Sequence, residues 1–381
     1  MKKIILVGST GSIGKQVVKV AVAHPDKFSI CALCAHSNVD EFERQLNILK
    51  PEYAALSCAD AAKRVGNIPK TTAFYGGEDA VIKLIKEVQA DVVFVAVSGF
   101  AGLKYSLAAI NAKKDVALAN KETLVCGGDV ITPLAKSMGV NVIPVDSEHS
   151  AIWQCLNFNA EREFKNLIIT ASGGAFRDYS KEELKKVTPA QALNHPTWQM
   201  GAKITVDCAT LLNKGYEVIE AHHLYNADYN SIKTVIHRES IIHSMVEFTD
   251  GAILAQMGVP SMILPIQLAL TYPKRYDCEV GKVDFSKAFT LNFQPVDEDK
   301  YPCFKLALNC GIRGGTAPTA LNAAAEVAVN AFLSGKLSFL DIAKVCDGVL
   351  QEHEVLKATD YSTLENADIL ARRQALKLIS R

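Results

Sequence analysis

Asp146, Ser147, Glu148 and His149 follow one another at the end of the run Val140-Asn141-Val142-Ile143-Pro144-Val145. The apolar part of that run reads as a short buried strand. It delivers two carboxylates, a hydroxyl and an imidazole to one place. Two acids one residue apart project to the same side of an extended backbone. Like charges held that close repel unless a cation sits between them. All-oxygen donors of this kind suit a hard divalent ion such as Mg²⁺ or Mn²⁺. The competing reading is a solvated turn in which Asp146 or Ser147 caps the next helix. Further along, Val206 to Ala221 reads as one helix with a polar stripe at Asn213, Lys214, Glu217 and Glu220. That stripe is either a solvated face or a phosphate-binding Asn-Lys pair beside a third metal carboxylate.

A second chemical signal stands at the start of the chain. Lys3 to Val7 is an apolar strand, and Gly8-Ser9-Thr10-Gly11-Ser12-Ile13-Gly14 follows it at once. An apolar-periodic helix then runs from Lys15 to Ala23. In a strand–turn–helix context, glycines let the backbone approach a pyrophosphate and the helix N–H groups bind it. The spacing is GxxGxxG, and a plain tight turn is the alternative. The second strand, Phe28 to Ala35, ends in His36-Ser37-Asn38. NAD-specific folds place an acid there to hold the ribose 2′-hydroxyl. Its absence favours NADP, held through Ser37, Asn38 and His36, with no Lys or Arg to clamp the 2′-phosphate.

Repeated strand–helix alternation must position these groups. Strands are expected at Ala54–Leu56, Asp91–Val97 and Asp115–Leu118, with helices from Ala80 to Val88 and through Ala112. This pattern predicts a parallel, doubly wound sheet with ligands at the carboxyl ends of its strands. Gly8 to Gly14, Ser98, Asn120-Lys121-Glu122 and Asp146 to Glu148 all fall at such ends. A later strand, Leu167 to Ala171, ends in Ser172-Gly173-Gly174, a turn that suits an anion or is a simple loop. Ser180 to Glu183 reads as a capping box. The irregular stretch from Asn194 through His195, Trp198 and Met200 to Gly201 fits a lid over a site or a domain-interface loop.

Composition narrows the class. The 381 residues suggest two or three domains. Hydrophobic residues make up 49 %, enough for real cores. Lys+Arg and Asp+Glu are both 41, which argues against a nucleic-acid or polybasic membrane surface. No apolar run approaches the ~18 residues of a membrane span. Ten scattered cysteines and no secretory signal point to reduced thiols and a cytoplasmic setting. Cys31 and Cys34 form a CxxC inside a predicted strand, where that spacing points the sulfurs to opposite faces and away from a redox or zinc role.

Several motifs occur together and in order: Gly8 to Gly14, Asn120 to Glu122, Val145 to His149, Ala171 to Gly174, His195-Pro-x-Trp-x-Met-Gly201 and Asn213-Lys-x-x-Glu217. Ile242-His-Ser-Met-Val-Glu-Phe248 and Ala317-Pro-Thr-Ala-Leu-Asn322 complete the series. The combination closely resembles the 1-deoxy-D-xylulose 5-phosphate reductoisomerase family along nearly the whole chain. The resemblance implies a dimeric enzyme of the non-mevalonate isoprenoid pathway. It would use NADPH with Mg²⁺, Mn²⁺ or Co²⁺ and form 2-C-methyl-D-erythritol 4-phosphate. It makes Asp146, Glu148 and Glu217 the metal ligands. Ser147, Ser172, His195, Asn213 and Lys214 become substrate contacts. Trp198 and Met200 fall on the lid. Lys121 is placed with the substrate and cofactor. Thr10, Gly11, Ser12, Ile13, Asn120, Glu122 and Gly201 are cofactor contacts. Lys121, His195 and the three acids are the expected catalytic set. Two positions depart from the family's usual pattern. Cys208, expected at the substrate phosphate, replaces a serine, and His36-Ser37-Asn38 replaces Gly-Lys-Asn.

The expected organisation is an α/β protein in three parts. Residues 1–146 form a Rossmann-like cofactor domain and 147–275 a central α+β catalytic domain. Residues 276–302 are a linker, and 303–381 form a helical domain. Strands at Val235–Arg238, Met245–Phe248 and Ile253–Met257 are expected to make an antiparallel layer, with a hairpin at Asp250-Gly251. The last helix is expected to open on a Ser362–Glu365 capping box. Two other classes stay in view: a different NAD(P)-dependent dehydrogenase, which would not need three converging carboxylates, and a nucleotide-binding protein without catalysis.

Overall fold

The computed structural model describes residues 1–159 and 162–380. Seven short strands rich in Val, Ile, Leu and Ala build the first sheet. They are β1 Lys2–Val7, β2 Phe28–Ala35, β3 Tyr53–Leu56, β4 Ala73–Gly76, β5 Val92–Val95, β6 Asp115–Leu118 and β7 Val142–Pro144. Their order is β4-β3-β2-β1-β5-β6-β7, and every pairing is parallel. The central strands are buried on both faces, which is why Ile4 to Val7 and Val92 to Val95 read as continuous apolar runs. The strand order reverses between β1 and β5. A doubly wound sheet opens its ligand crevice at such a reversal, and the glycine turn after β1 stands there. This Rossmann-like unit comprises Met1–Thr123, Ile131–Asp146 and Ser261–Val280. Its last segment contributes the helix Ile263–Thr271, which packs on the helix Ser12–Ala23 and bonds through Gln267 to His24 at 3.1 Å.

The described residues of Leu124–Val130, Ser147–Pro260 and Gly281–Arg381 form a second unit. Its sheet has the order β11-β10-β8-β9-β12. The strands are β8 Asn166–Ala171, β9 Ile232–Ile236, β10 Ile242–Glu247, β11 Ile253–Met257 and β12 Gln294–Pro295. Of the expected antiparallel layer, β10 and β11 do pair antiparallel, but β8 inserts between β10 and β9, antiparallel to the first and parallel to the second. The connection between β8 and β9 carries the helices Ala202–Ala209 and Leu212–Tyr225, and such a crossover returns the chain in the same direction. β12 lies within the expected linker and pairs with β9. The hairpin between β10 and β11 turns at Asp250-Gly251, with Gly251 at φ +87°.

The unit continues in four helices, Pro302–Arg313, Ala317–Leu333, Asp341–Glu352 and Tyr361–Ile379. Arg372 on the last bridges Glu326 and Asp368 at 2.6 Å each. The last helix is capped by Asp360, which accepts from the Thr363 amide, and not by the expected Ser362 box. Asp outcompetes a residue two places on because its short carboxylate reaches that amide directly. The Ser180–Glu183 box is present as expected. Among the described residues, no helix is long and apolar enough to cross a membrane.

Candidate active site

The glycine turn is shaped by close backbone approach. Gly8 has φ +91°, and a Cβ there would lie 2.6 Å from the Ala96 carbonyl carbon. A Cβ on Gly14 would lie 2.2 Å from the Gly8 oxygen. The helix Ser12–Ala23 follows with Gly11 at its N-cap and no side-chain cap over its first amides. Those amides and the absent side chains make a cradle that fits a pyrophosphate.

At the end of β2, His36 and Asn38 are already engaged. His36 Nδ1 stands 2.8 Å from Ser57 Oγ. Asn38 Oδ1 accepts from the Glu41 amide at 3.2 Å and caps the helix Val39–Leu49, so only its NH₂ is left to donate. Ser37 is exposed. Asn120 is more constrained. Its NH₂ donates to the Gly99 carbonyl at 3.1 Å and to Glu122 at 2.7 Å. Its Oδ1 accepts from the Thr123 amide and hydroxyl. An amide side chain has no further capacity, so only the Asn120 main chain can meet a cofactor. Lys121 Nζ lies 2.8 Å from Asp146 Oδ2.

Asp146 closes the first unit and Ser147 opens the helix Ser147–Cys155. Glu148 therefore sits in the first helical turn. The two acids do not share an extended strand, as their spacing had suggested, and the turn from β7 into the helix is what aims them. Ser147 Oγ donates to Glu148 Oε2 at 2.5 Å. Glu217 comes from the helix Leu212–Tyr225, which begins after Leu211 in the left-handed region at φ +54°. The single helix expected over Val206–Ala221 is thus two, broken at Thr210-Leu211. The stripe is not a solvated face, because Asn213, Lys214, Glu217 and Glu220 are all buried.

Lys214 Nζ lies 2.9 Å from Glu148 Oε1 and also donates to Glu217 Oε2. Asn213 donates to Glu217 Oε1 at 2.6 Å. Burial pulls the Lys214 ammonium down, but the carboxylates of Glu148 and Glu217 outweigh it and hold it above the ordinary lysine value. The oxygens of Asp146, Glu148 and Glu217 lie within 4.8 Å of one another. An all-oxygen trio at that spacing, drawing a cation inward, fits a hard divalent ion.

The turn after β8 faces another cluster. Gly174 has φ +70°, and a Cβ there would lie 2.5 Å from the Cys208 carbonyl oxygen. Glycine thus lets the Ser172–Gly174 turn press on the end of the helix Ala202–Ala209. His195 Nδ1 accepts from the amides of Thr197 and Trp198 at 3.1 and 2.9 Å. Two donors on Nδ1 fix the proton of the neutral ring on Nε2, which donates to Ser172 Oγ at 2.9 Å. Burial, reinforced by the Arg177 guanidinium, pushes His195 from 6.5 down to about 4. The Trp198 ring is half-buried, 6.2 Å from that of His243. Met200 and Cys208 are half-buried as well, and Gly201 caps the helix Ala202–Ala209.

Three family domain descriptions match the chain. "1-Deoxy-D-xylulose 5-phosphate reductoisomerase" covers residues 4–128 and its C-terminal domain covers 142–225. "DXP reductoisomerase C-terminal domain" covers 257–374. The reductoisomerase of Desulfitobacterium hafniense is 46 % identical over 383 aligned positions, 100 % of both chains. The chain belongs to the 1-deoxy-D-xylulose 5-phosphate reductoisomerase family. The member from Exiguobacterium sibiricum is 45 % identical over 98 % of this chain and 97 % of its own. Among solved members, that of Zymomonas mobilis in complex with NADPH is 36 % identical, with a TM-score of 0.92 over 99 % of each chain. A reductoisomerase in complex with NADPH, fosmidomycin and magnesium is 36 % identical, with a TM-score of 0.95 over 100 % of this chain and 98 % of that one.

For a member of this family the structure adds residues that had no assigned contact in the expected site. His149 and Glu220 lie buried between the two helices that bear Glu148 and Glu217. Arg177 donates to the Ser172 carbonyl at 3.1 Å. Glu220 was visible as the next acid, one turn after Glu217. Arg177 has no local signal, because its contact depends on how the turn folds back.

Proposed function

We propose that this chain converts 1-deoxy-D-xylulose 5-phosphate to 2-C-methyl-D-erythritol 4-phosphate, using NADPH and Mg²⁺ or Mn²⁺, in isoprenoid precursor biosynthesis. The observation that carries the reading is the convergence of Asp146, Glu148 and Glu217, with Lys214 and Asn213 bound against the last two. Family membership supports the substrate, and the NADPH, magnesium and fosmidomycin held by solved relatives support the ligands. When bound, a divalent ion polarises a carbonyl and stabilises developing oxyanions, and the reduced nicotinamide supplies hydride.

The chain's own residues bind, orient and exclude water. Asp146, Glu148 and Glu217 hold the ion. Lys121 and Ser147 contact the substrate beside them. Ser172, Cys208, Asn213 and Lys214 receive the substrate with its phosphate. His195 holds a proton on Nε2 at neutral pH and orients the Ser172 hydroxyl, whose own proton points to the substrate. Trp198 and Met200 cover the site and keep water from it. Gly8, Thr10, Gly11, Ser12, Ile13 and Gly14 cradle the cofactor pyrophosphate. His36, Ser37 and the Asn38 amide meet the 2′-phosphate. Lys121, Glu122, Gly201 and the Asn120 main chain complete the cofactor contacts.

Residues 1–146 act as the cofactor domain, 147–275 as the catalytic domain apart from the helix Ile263–Thr271, which packs within the first unit, 276–302 as linker and 303–381 as helical support. The protein works as a cytoplasmic homodimer. The edge strand β11, with Ile253 and Leu254 exposed, supports pairing with a second copy. The lack of a disulfide among the described cysteines supports a reducing compartment.

The test is one cuvette with NADPH, Mn²⁺ and 1-deoxy-D-xylulose 5-phosphate, followed at the NADPH absorbance. The expected result is oxidation that needs both metal and substrate, with NADPH preferred over NADH in kcat/KM. Absence of metal-dependent oxidation overturns the function. Equal use of NADH overturns the 2′-phosphate assignments.

A further inference from the structure

His149 is the residue after Glu148, and Glu220 lies one helical turn beyond Glu217. Both are buried, at 0 % and 1 % exposure. His149 Nε2 donates to the main-chain carbonyl of Glu217 at 2.9 Å. Its Nδ1 stands 3.3 Å from Glu220 Oε2. Tyr225 Oη, further along the same helix, donates back to the His149 carbonyl at 2.5 Å. Two hydrogen bonds and one close imidazole–carboxylate contact therefore join the residue beside one metal carboxylate to the helix that bears another.

Apolar side chains of similar size could pack two helices together without the cost of burying ionisable groups. What a polar lock adds is a single register. Each residue of a helix advances about 100° around its axis, from 3.6 residues per turn. A small rotation of either helix would therefore swing Glu148 or Glu217 away from the other. A site of this kind needs its groups held to within about 0.5 Å.

We propose that His149 and Glu220 are positioning residues, a buried imidazole–carboxylate strut that fixes Glu148 against Glu217 for metal binding. The strut rests on the assignment of Asp146, Glu148 and Glu217 to a metal. Both side chains are buried away from solvent, so removal of the strut acts on metal affinity first. Outer-shell partners of metal ligands contribute about 10–100-fold to metal affinity.

The test is a Mn²⁺ titration followed by electron paramagnetic resonance, with NADPH binding measured by fluorescence on the same samples. In Glu220→Ala the Mn²⁺ Kd is expected to rise about tenfold or more. The NADPH Kd should stay at the wild-type value. Activity should recover at high Mn²⁺, with the half-saturating Mn²⁺ concentration shifted up by a like factor. Glu220→Gln keeps an amide against Nδ1 and is expected to fall between wild type and alanine. A wild-type Mn²⁺ Kd in folded Glu220→Ala overturns the proposal, as does a parallel loss of NADPH affinity. Should the alanine variant not fold, Glu220→Gln takes its place, and a wild-type Mn²⁺ Kd there overturns the proposal. Failure of the metal assignment itself shows separately, as a wild-type Mn²⁺ Kd in Glu217→Gln.

Discussion

His195 illustrates how a side chain's role depends on neighbours that the sequence does not reveal. The resemblance to the family implies that it is a substrate contact, whereas its Pro- and Trp-containing loop alone fits a lid or an interface. The structure adds a fixed tautomer and a pKa pushed down to about 4, by burial first and by Arg177 second. The consequence for stability has a definite sign. Above about pH 6.5 the ring is neutral in both folded and unfolded chains. As pH falls from 6.5 towards 4, the unfolded chain takes up a proton that the folded chain refuses, so stability falls across that window. His195→Gln removes this component. The drop in Tm between pH 7 and pH 5 is expected to be smaller in the variant than in wild type, and an equal drop would contradict the assignment. Residue types singled out Asp146 and Glu148 but left Glu217 on a stripe that could have been solvated, and the fold is what brings the three acids together. Residue types were not enough for Asn38 and Asn120, whose short amides are taken by neighbouring backbone groups, as such side chains often are. The pairing of His149 with Glu220 requires two helices to meet, and no local pattern encodes that.

At the scale of elements, the turn after β8 carries the most specific demand. Gly174 combines a positive φ with a Cβ position 2.5 Å from the Cys208 carbonyl oxygen. Gly174→Ala must strain the turn or push it off the helix Ala202–Ala209. A cost of roughly 1–3 kcal/mol is expected, the scale of a strained backbone position. It should be read as a lower Tm together with a raised KM for the sugar phosphate and an unchanged NADPH Kd. A variant with wild-type Tm and KM would show that the turn tolerates a side chain. The strand–helix alternation of the first sheet was legible, because buried parallel strands read as apolar runs separated by helical periodicity. Two element readings differ from the structure for physical reasons. Leu211 enters the left-handed region and splits one expected helix into two. Asp360 takes the cap expected of Ser362.

At the scale of the whole molecule, each of the chain's two units is assembled from segments separated in sequence. The helix Ile263–Thr271 belongs with the first sheet because it packs on the helix Ser12–Ala23, a contact between distant parts of the chain. Such packing has no local signature. Segments distant in sequence also meet in one place, where they supply three acids. The most direct test is a Mn²⁺ titration of the wild-type protein and of Glu217→Gln, with NADPH binding as the control. The wild type is expected to bind one Mn²⁺ per chain. Glu217→Gln keeps the side-chain shape but loses a charge, so it should bind Mn²⁺ at least about a hundredfold more weakly, beyond what outer-shell changes usually cost. Its NADPH Kd should not change. Equal Mn²⁺ affinity in the two proteins would contradict the assignment of these carboxylates to a metal.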